Sequence, residues 1–438
     1  MTARTTSPGS RGWIGSLPRR SRLAAITAPV AAIALLAGCS NSSGVGGGGS
    51  TTDATPPSTA AQTPTGGTSS GGGGAPSGEP YRIGNLTHQN TSFGQLPKAN
   101  TETQVAWEKW TNANGGINGH PVQLTSFDTQ SDNAKAVVYA KQLVEDDHVI
   151  ALAGDNDPTS EAAYADYLKS KGIPVVGSAH SSRGYTDANW YPTAATDYAV
   201  LSPSVVAAAV GAGVKRFGLI ACTESPLCKT DTDAQAKAAD QQGLTVATNF
   251  TASLAAPNYT AECVKLKQAD VDGVYFSATA AAIAKLATDC SRQGLKPKYF
   301  FLEPSPDLLK TPAVYATGAY GISVALPYFA DVPANQDFLA AMKQYAPGVD
   351  PTSDGAQIWA GLEVLRAALE KVPNDPPSSA TVIKGLGLLG PDFTANGLTV
   401  PLTYTAGKPL DVNCVFLWTL GTDGKYDLTD GTKPTCTK

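Results

Sequence analysis

The sequence predicts an α/β protein built on doubly wound parallel sheets. Short, nearly continuous apolar runs occur without polar alternation, as expected for strands that are covered on both faces. These runs alternate with helical segments over about 220 residues, which is the pattern of parallel strands joined by crossover helices. From about Glu79 onward the chain has about 360 residues, enough for two domains of ordinary size.

Eight apolar runs are predicted to be strands of these sheets. In chain order they are residues 81–86, 122–127, 149–153, 173–176, 216–221, 244–250, 273–277 and 299–302.

Three segments between these strands carry helix signals. "DNAKAVVYAKQLVEDD" begins with Asp132 as a predicted N-cap and places apolar side chains along one face. "PTSEAAYADYLKSKG" begins near Thr159 and ends on Gly172, and "TAAAIAKLATDCSRQG" begins at Thr279 and ends on Gly294. These boundaries fit helices that cross between parallel strands.

The pattern changes after Pro327. Three helices are predicted at residues 335–346, 354–371 and 379–387, followed by extended segments at 398–404, 412–420 and 426–428. A regular single-domain repeat does not end in this way, so we expect the chain to pass between two lobes more than once.

The N-terminal segment reads as a secretory signal. Arg19, Arg20 and Arg22 precede an apolar stretch at residues 23–38, and no acidic residue precedes Cys39. "LAGC" at residues 36–39 resembles the bacterial lipobox, which implies cleavage before Cys39 and attachment of lipid to it. A buried free cysteine and, from the arginine pair, twin-arginine export are the alternatives.

Residues 39–79 are predicted to form a lipid-anchored flexible linker. They consist mainly of Gly, Ser, Thr, Pro and Ala and cannot form an apolar core. The linker contains a G-x-G-x-x-G match at residues 44–49 and a G-x-S-x-G match at 67–71, but neither lies between a strand and a helix. We reject both as functional motifs.

Composition restricts the function. After removal of residues 1–38, 27 Lys and Arg remain against 37 Asp and Glu, a net charge of −10 with neutral histidines. An acidic chain without a Lys/Arg cluster argues against binding of nucleic acid and against electrostatic binding to a membrane surface. Membrane association would therefore depend on the lipid. The four histidines form no H-E-x-x-H motif and no valid nucleophile motif occurs, so we expect no enzyme, cofactor or metal.

Six cysteines remain besides Cys39, and an even number in an exported chain indicates disulfides. Six cysteines allow 15 pairings. We predict pairing of sequence neighbours, Cys222–Cys228, Cys263–Cys290 and Cys414–Cys436.

Residues 112–154, "NANGGINGHPVQLTSFDTQSDNAKAVVYAKQLVEDDHVIALAG", resemble the leucine/isoleucine/valine-binding protein family, the type I periplasmic binding proteins of ABC importers. "KGIPVVGSAHS" and "RQGLKPKYFFLEP" resemble two further family segments, and the likeness covers most of residues 80–430. The glycine pair also has a physical explanation, because Gly115 or Gly116 can adopt the left-handed conformation that ends a helix.

The resemblance implies two doubly wound α/β lobes joined by a three-segment hinge and closing on a solute. We expect lobe 1 to comprise residues 80–197 and 328–395, and lobe 2 residues 198–327 and 396–438. The implied function is that of a substrate-binding lipoprotein on the outer face of the cytoplasmic membrane. It would capture an amino acid or similar small polar solute for an ABC permease, as a monomer. A ligand-sensing receptor that signals to a membrane partner is the alternative.

Ligands of open α/β sheets bind beyond the carboxyl ends of the strands. Thr159 begins a helix there and could bind a carboxylate or cap its own helix. By resemblance, the Ala179 backbone and the Ser181 hydroxyl grip the carboxylate of the ligand. Amino-acid binders of the family have a serine in the loop before the helix that Thr159 begins, but an ungapped count places Pro158 at that position. The residues therefore support binding of only one end of a zwitterion. An amide, a short peptide or another polar solute remains open as the ligand.

Glu303 follows a predicted apolar strand and, by resemblance, falls on the acidic residue that holds the α-ammonium of an amino acid. A buried carboxylate at such a strand end needs a cationic partner. This partner is either the ammonium group of a ligand or a nearby Lys or Arg of the chain. Phe93 and Phe276 are candidates for apolar walls, with a core position as the alternative. The loop "CTESPLC", residues 222–228, is expected at the mouth of the cleft.

Overall fold

The computed structural model describes residues 75–91, 94–95 and 98–436, which lie within one structural unit of residues 70–438. The signal segment, Cys39, nearly all of the linker and Phe93 lie outside the described residues. The signal, the lipid anchor and the role of Phe93 therefore stay predictions.

The described chain alternates strands and helices. The strands are β1 Tyr81–Thr87, β2 Asn90–Thr91, β3 Gly94–Gln95, β4 Val122–Asp128, β5 Ala151–Ala153, β6 Val175–Val176, β7 Trp190–Tyr191, β8 Arg216–Cys222, β9 Thr245–Ala252, β10 Gly273–Ser277, β11 Lys298–Phe301, β12 Ala319–Ser323, β13 Cys414–Leu420, β14 Tyr426–Leu428 and β15 Thr435–Cys436. The helices are α1 Ala99–Ala113, α2 Asn133–Glu145, α3 Glu161–Lys171, α4 Tyr198–Gly211, α5 Pro226–Gln241, α6 Thr260–Gln268, α7 Ala280–Arg292, α8 Pro306–Leu309, α9 Pro312–Tyr315, α10 Pro333–Tyr345, α11 Ser353–Glu370 and α12 Ser379–Gly387.

Two sheets organise these elements. The first has the order β4-β1-β5-β6-β7 and is parallel throughout. In the second, β9, β8, β10, β11 and β12 are parallel neighbours, and β13, β14 and β15 add antiparallel pairs at one side. All eight predicted strands form, and the doubly wound α/β class is confirmed.

The chain passes between the two sheets three times, before α4, before α10 and after α12. Helix α4 packs against β12 and β13 of the second sheet, whereas α10 and α11 return to pack against α1, and α11 also contacts β5 and β6. The crossing segments are joined directly, since the Tyr404 hydroxyl donates to the Pro192 carbonyl at 2.9 Å and the Leu326 N–H donates to the Leu398 carbonyl at 2.9 Å. The lobe boundaries given above stay a prediction.

One of the predicted extended segments, residues 398–404, does not form a strand. Residues 398–404 form turns and a single bridge between Phe393 and Leu402 instead of a ladder. The apolar side chains of this segment are buried between the sheets, and this burial gives it the same sequence pattern as a strand.

Helix ends follow local chemistry at most predicted positions. The Asp132 carboxylate accepts from the first turn of α2, and the Thr279 hydroxyl accepts from the Ala282 N–H of α7. Helix α3 begins at Glu161 with Ser160 as its N-cap residue, so Thr159 does not cap it. After α1, Gly116 has φ +71°, and a Cβ there would lie 2.1 Å from the His120 carbonyl oxygen, which explains why glycine is needed.

The three predicted disulfides are present. Cys222 at the end of β8 bonds to Cys228 in α5, Cys263 in α6 bonds to Cys290 in α7, and Cys414 in β13 bonds to Cys436 in β15.

Loss of the Cys263–Cys290 bond is expected to destabilise the protein more than loss of Cys222–Cys228. The bonded residues are 27 and 6 positions apart, respectively. The chain-entropy relation then gives about 3.5 kcal/mol for the longer loop and about 2 kcal/mol for the shorter one. Denaturant unfolding of Cys263→Ala/Cys290→Ala, with Cys222→Ala/Cys228→Ala as the matched control, measures this difference. An equal or larger loss in the control would contradict it.

Candidate ligand-binding site

A cavity of about 430 Å³ lies beyond the carboxyl ends of β10 and β11. Its wall is made by the segments 275–280, 301–305 and 352–354, together with His180, Tyr198, Asp231 and Ile283. Two of these segments follow neighbouring parallel strands, whose carboxyl ends meet at one edge of the sheet. The third is the beginning of α11, which packs against the first sheet. The cavity therefore receives side chains from elements of both sheets.

Glu303 lies directly after β11 and faces this cavity. Its carboxylate accepts hydrogen bonds from the Ser323 hydroxyl at 2.9 Å and from the Val324 N–H at 3.1 Å. Burial raises the pKa of the carboxyl to about 7, although these two hydrogen bonds and the charge of His180 act in the opposite direction. Near neutral pH the group can therefore gain or lose its charge when a ligand arrives.

His180 and Asp354 form an ion pair at the wall of the same cavity. The His180 Nε2 lies 3.0 Å from the Asp354 Oδ1, and the Asn100 amide donates to Oδ2 of the same carboxylate at 3.2 Å. Desolvation acts to lower the pKa of His180, whose side chain is partly exposed, but the charge and hydrogen bond of Asp354 and the charge of Glu303 together outweigh it, and the net pKa is raised. For Asp354, burial acts to raise the pKa, but His180 and Asn100 outweigh it and the net pKa is lowered.

Asp231 contributes a third carboxylate. It is fully buried in α5, and the Tyr275 hydroxyl donates to its Oδ2 at 2.5 Å. Burial raises the pKa of Asp231, against the effect of hydrogen bonds from Ser277, Tyr275 and Gln235. The described lining thus contains three carboxylates and one histidine, and no lysine or arginine. Such a wall favours a ligand with positive charge and N–H donors.

Two of the predicted site residues line the cavity, Glu303 and Phe276. Phe276 is also part of the core, where its ring contacts Tyr259 edge-on, so both interpretations of this aromatic hold. No Lys or Arg pairs with Glu303 among the described residues, and its contacts are polar hydrogen bonds. Cys222 follows Ala221, which pairs with Ser277 at the cavity edge, but neither Cys222 nor Cys228 lines the cavity.

The residues predicted to hold a ligand carboxylate do not line this cavity. The Thr159 hydroxyl donates to the Asp157 carboxylate at 2.9 Å, and the Ala179 N–H donates to the Asp155 carbonyl at 2.7 Å. The Ser181 hydroxyl bonds to Glu161, a buried carboxyl whose pKa is raised to about 7 by burial. All three groups are thus occupied by acceptors of the chain itself, and a ligand role for them stays a prediction.

Sequence reasoning did not find His180, Asp354 or Asp231. His180 lies between Ala179 and Ser181, which were predicted to bind the ligand. Its position in the loop after β6, at the carboxyl end of a parallel strand, could have identified it as well. Asp354 lies in the first turn of α11, after the N-cap residue Thr352. Acidic residues are common in the first turn of helices, so its position in the sequence did not indicate a binding site.

Comparison with known proteins agrees with this architecture. A family model described as periplasmic binding protein matches residues 80–422. The Leu/Ile/Val-binding protein homolog 2 of Brucella abortus is 25% identical over 349 residues, covering 78% of this chain and 90% of that protein. The Leu/Ile/Val-binding protein of Escherichia coli K12 is 26% identical over 321 residues, covering 69% and 81%, respectively.

Solved structures show the same fold at lower identity. A fatty acid ABC transporter substrate-binding protein from Thermomonospora curvata aligns with a TM-score of 0.66 and 19% identity, covering 84% of this chain and 95% of that chain. A leucine-binding protein from Thermotoga maritima aligns with a TM-score of 0.61 and 17% identity, covering 79% and 97%. An R. palustris ABC transporter solute-binding protein in complex with benzoate aligns with a TM-score of 0.65 and 15% identity, covering 82% and 98%.

Proposed function

The chain belongs to the periplasmic binding protein family, and from this premise we propose that it captures an amino acid or similar small polar solute with a protonated nitrogen for an ABC importer. It is a solute-binding protein of the ABC transporter type and, like its relatives, not an enzyme. Fold and family alone do not identify a solute, because one fold serves many ligands.

The observation that carries the proposal is the position of Glu303. Its carboxylate lies at the end of a buried strand, faces the cavity and has no Lys or Arg partner among the described residues, and the nearby His180 is paired with Asp354. Leaving such a carboxylate charged without a partner costs free energy. A protonated nitrogen of a solute would supply the missing charge and hydrogen-bond donors.

Capture is expected to involve both sheets. The Ser353 hydroxyl at the start of α11 donates to the Pro304 carbonyl at 2.6 Å, and the Gln357 amide lies 3.5 Å from Glu303. A solute that contacts the segments 301–305 and 352–354 together would favour the closed arrangement in proportion to its differential affinity for it. The closed lobes would then present one combined surface to the permease.

We further propose that Cys39 anchors the protein by lipid to the outer face of the cytoplasmic membrane, with residues 40–79 as a tether. Among the described residues, no helix combines enough length and apolarity to span a bilayer. A solute-binding protein on such a linker could deliver solute to a permease or signal to a sensing partner in the membrane. The two roles differ only in the partner protein.

A ligand screen tests the proposal directly. Amino acids, amines, amides, polyols and short peptides are added to the mature chain, and thermal stability is recorded. We expect cationic or zwitterionic solutes to raise the melting temperature, since a ligand that binds only the native state stabilises it. Small-angle X-ray scattering should then show a smaller radius of gyration with the best binder. A complete panel without stabilisation or compaction would refute the proposal.

A further inference from the structure

We propose that the solute is an aliphatic or arylalkyl amine without a carboxylate of its own, rather than a zwitterionic amino acid. The inference rests on the proposed function, because it concerns the same cavity and narrows the class of solute.

The positions expected to hold a ligand carboxylate are already occupied within the chain. The Ser160 N–H at the start of α3 donates to the Asp157 carboxylate at 3.2 Å, and Thr159 donates to the same carboxylate. The Ala179 N–H and the Ser181 hydroxyl bond to Asp155 and Glu161. A ligand carboxylate placed there would meet Asp157 and Glu161, two carboxyl groups, and would displace existing hydrogen bonds.

The cavity itself offers no replacement for those positions. Among the described residues that line it, the single basic one is His180, which is paired with Asp354 at 3.0 Å. The N-terminus of α11 also lies at the wall, but Thr352 accepts its Gly355 N–H and Asp354 supplies a negative charge in its first turn. A ligand carboxylate in this cavity would therefore face Glu303 and Asp231 without a free cation.

Two buried amides lie beside the cavity carboxylates. Gln235 and Gln357 are 0% and 2% exposed, and their nitrogens lie 3.5 Å from the Asp231 and Glu303 carboxylates, respectively. Neither glutamine lines the cavity, so a ligand would meet the carboxylates and not these amides. A primary ammonium group supplies three N–H donors to such acceptors.

The rest of the wall suits a hydrocarbon chain or ring. Phe276, Ile283, Phe301 and Leu302 line the same cavity as the carboxylates. The aromatic faces of Phe276 and Tyr198 can also attract an ammonium group. A cavity with acidic groups and apolar walls is complementary to an amine that carries several carbon atoms.

Matched pairs of compounds test this inference. Isothermal titration calorimetry at pH 7.5 compares isopentylamine with leucine and phenethylamine with phenylalanine, each pair differing by one carboxylate. We expect the amine to bind at least about tenfold more tightly than its amino acid, because the carboxylate would lie at short range from Glu303 and Asp231 in a described lining without Lys or Arg. Asp354→Asn should reduce this ratio, and Asp307→Asn, which removes an exposed acid outside the cavity, should leave it unchanged.

The outcomes separate the two proposals. If leucine or phenylalanine binds as tightly as its amine, the inference is wrong and the proposed function stands. If no compound of either pair binds and the wider screen also fails, the proposed function is wrong. An equal effect of Asp307→Asn and Asp354→Asn would assign the preference to overall charge and would also overturn the inference.

Discussion

Glu303→Gln is expected to weaken binding of a cationic solute by roughly 30- to 5,000-fold, the equivalent of about 2–5 kcal/mol for a buried charge pair. Glutamine has nearly the same shape and can still accept the Val324 N–H that the carboxylate accepts at 3.1 Å. The substitution removes the negative charge and leaves the ammonium group of the solute without its partner. Calorimetric titration of the variant with the best binder from the solute screen measures the loss.

Glu161→Gln is the matched control for this experiment. Glu161 is also a buried glutamate whose pKa is raised to about 7, but it does not line the cavity. We expect its substitution to leave the affinity within about threefold of the original, as for a site that does not contact the ligand. Retained affinity in Glu303→Gln, or an equal loss in both variants, would contradict the assignment of Glu303.

The fold could be predicted because its main signals are local. Apolar runs such as 216–221 and 273–277 have the length of strands that are buried on both faces, are shorter than most helices, and alternate with helix patterns. The extended segment 398–404 forms no ladder, because its apolar side chains are buried without a neighbouring strand to pair with. An apolar pattern in the sequence indicates that a segment is buried, but it does not indicate whether another strand lies beside the segment to form hydrogen bonds with it.

The site could be predicted only in part. Glu303 was found because it directly follows an apolar strand and because the family resemblance places an acidic residue at this position. His180 and Asp354 are 174 positions apart and meet only because α11 returns to the first sheet. Thr159, Ala179 and Ser181 lie in the expected loops, but their hydrogen bonds to Asp155, Asp157 and Glu161 depend on side-chain directions that the sequence does not specify.

Affinity for an amine is expected to fall roughly 50-fold between pH 7 and pH 5, because Glu303 is about half ionised at pH 7 and about 1% ionised at pH 5. Because the pKa of Glu303 is about 7, acid protonates this carboxyl and removes the charge that binds the ammonium group. An aliphatic amine itself stays protonated throughout this range. Calorimetric titration with isopentylamine at pH 5, 6, 7 and 8 measures the dependence.

The other ionisable groups of the wall act in the same direction or stay constant. The pKa of His180 is raised by Asp354, so it gains positive charge as the pH falls, which disfavours a cation further. Burial raises the pKa of Asp231, so it also loses negative charge on acidification, whereas the lowered pKa of Asp354 keeps that group ionised. Since the cation displaces the proton of Glu303, binding near pH 7 should release protons, which titrations in buffers of different ionisation enthalpy detect.

The variants of the first prediction also test the pH dependence of affinity. Glu303→Gln should remove most of this dependence, and Glu161→Gln should preserve it. An affinity independent of pH between 5 and 7 would show that Glu303 is not the group that meets the charge of the solute.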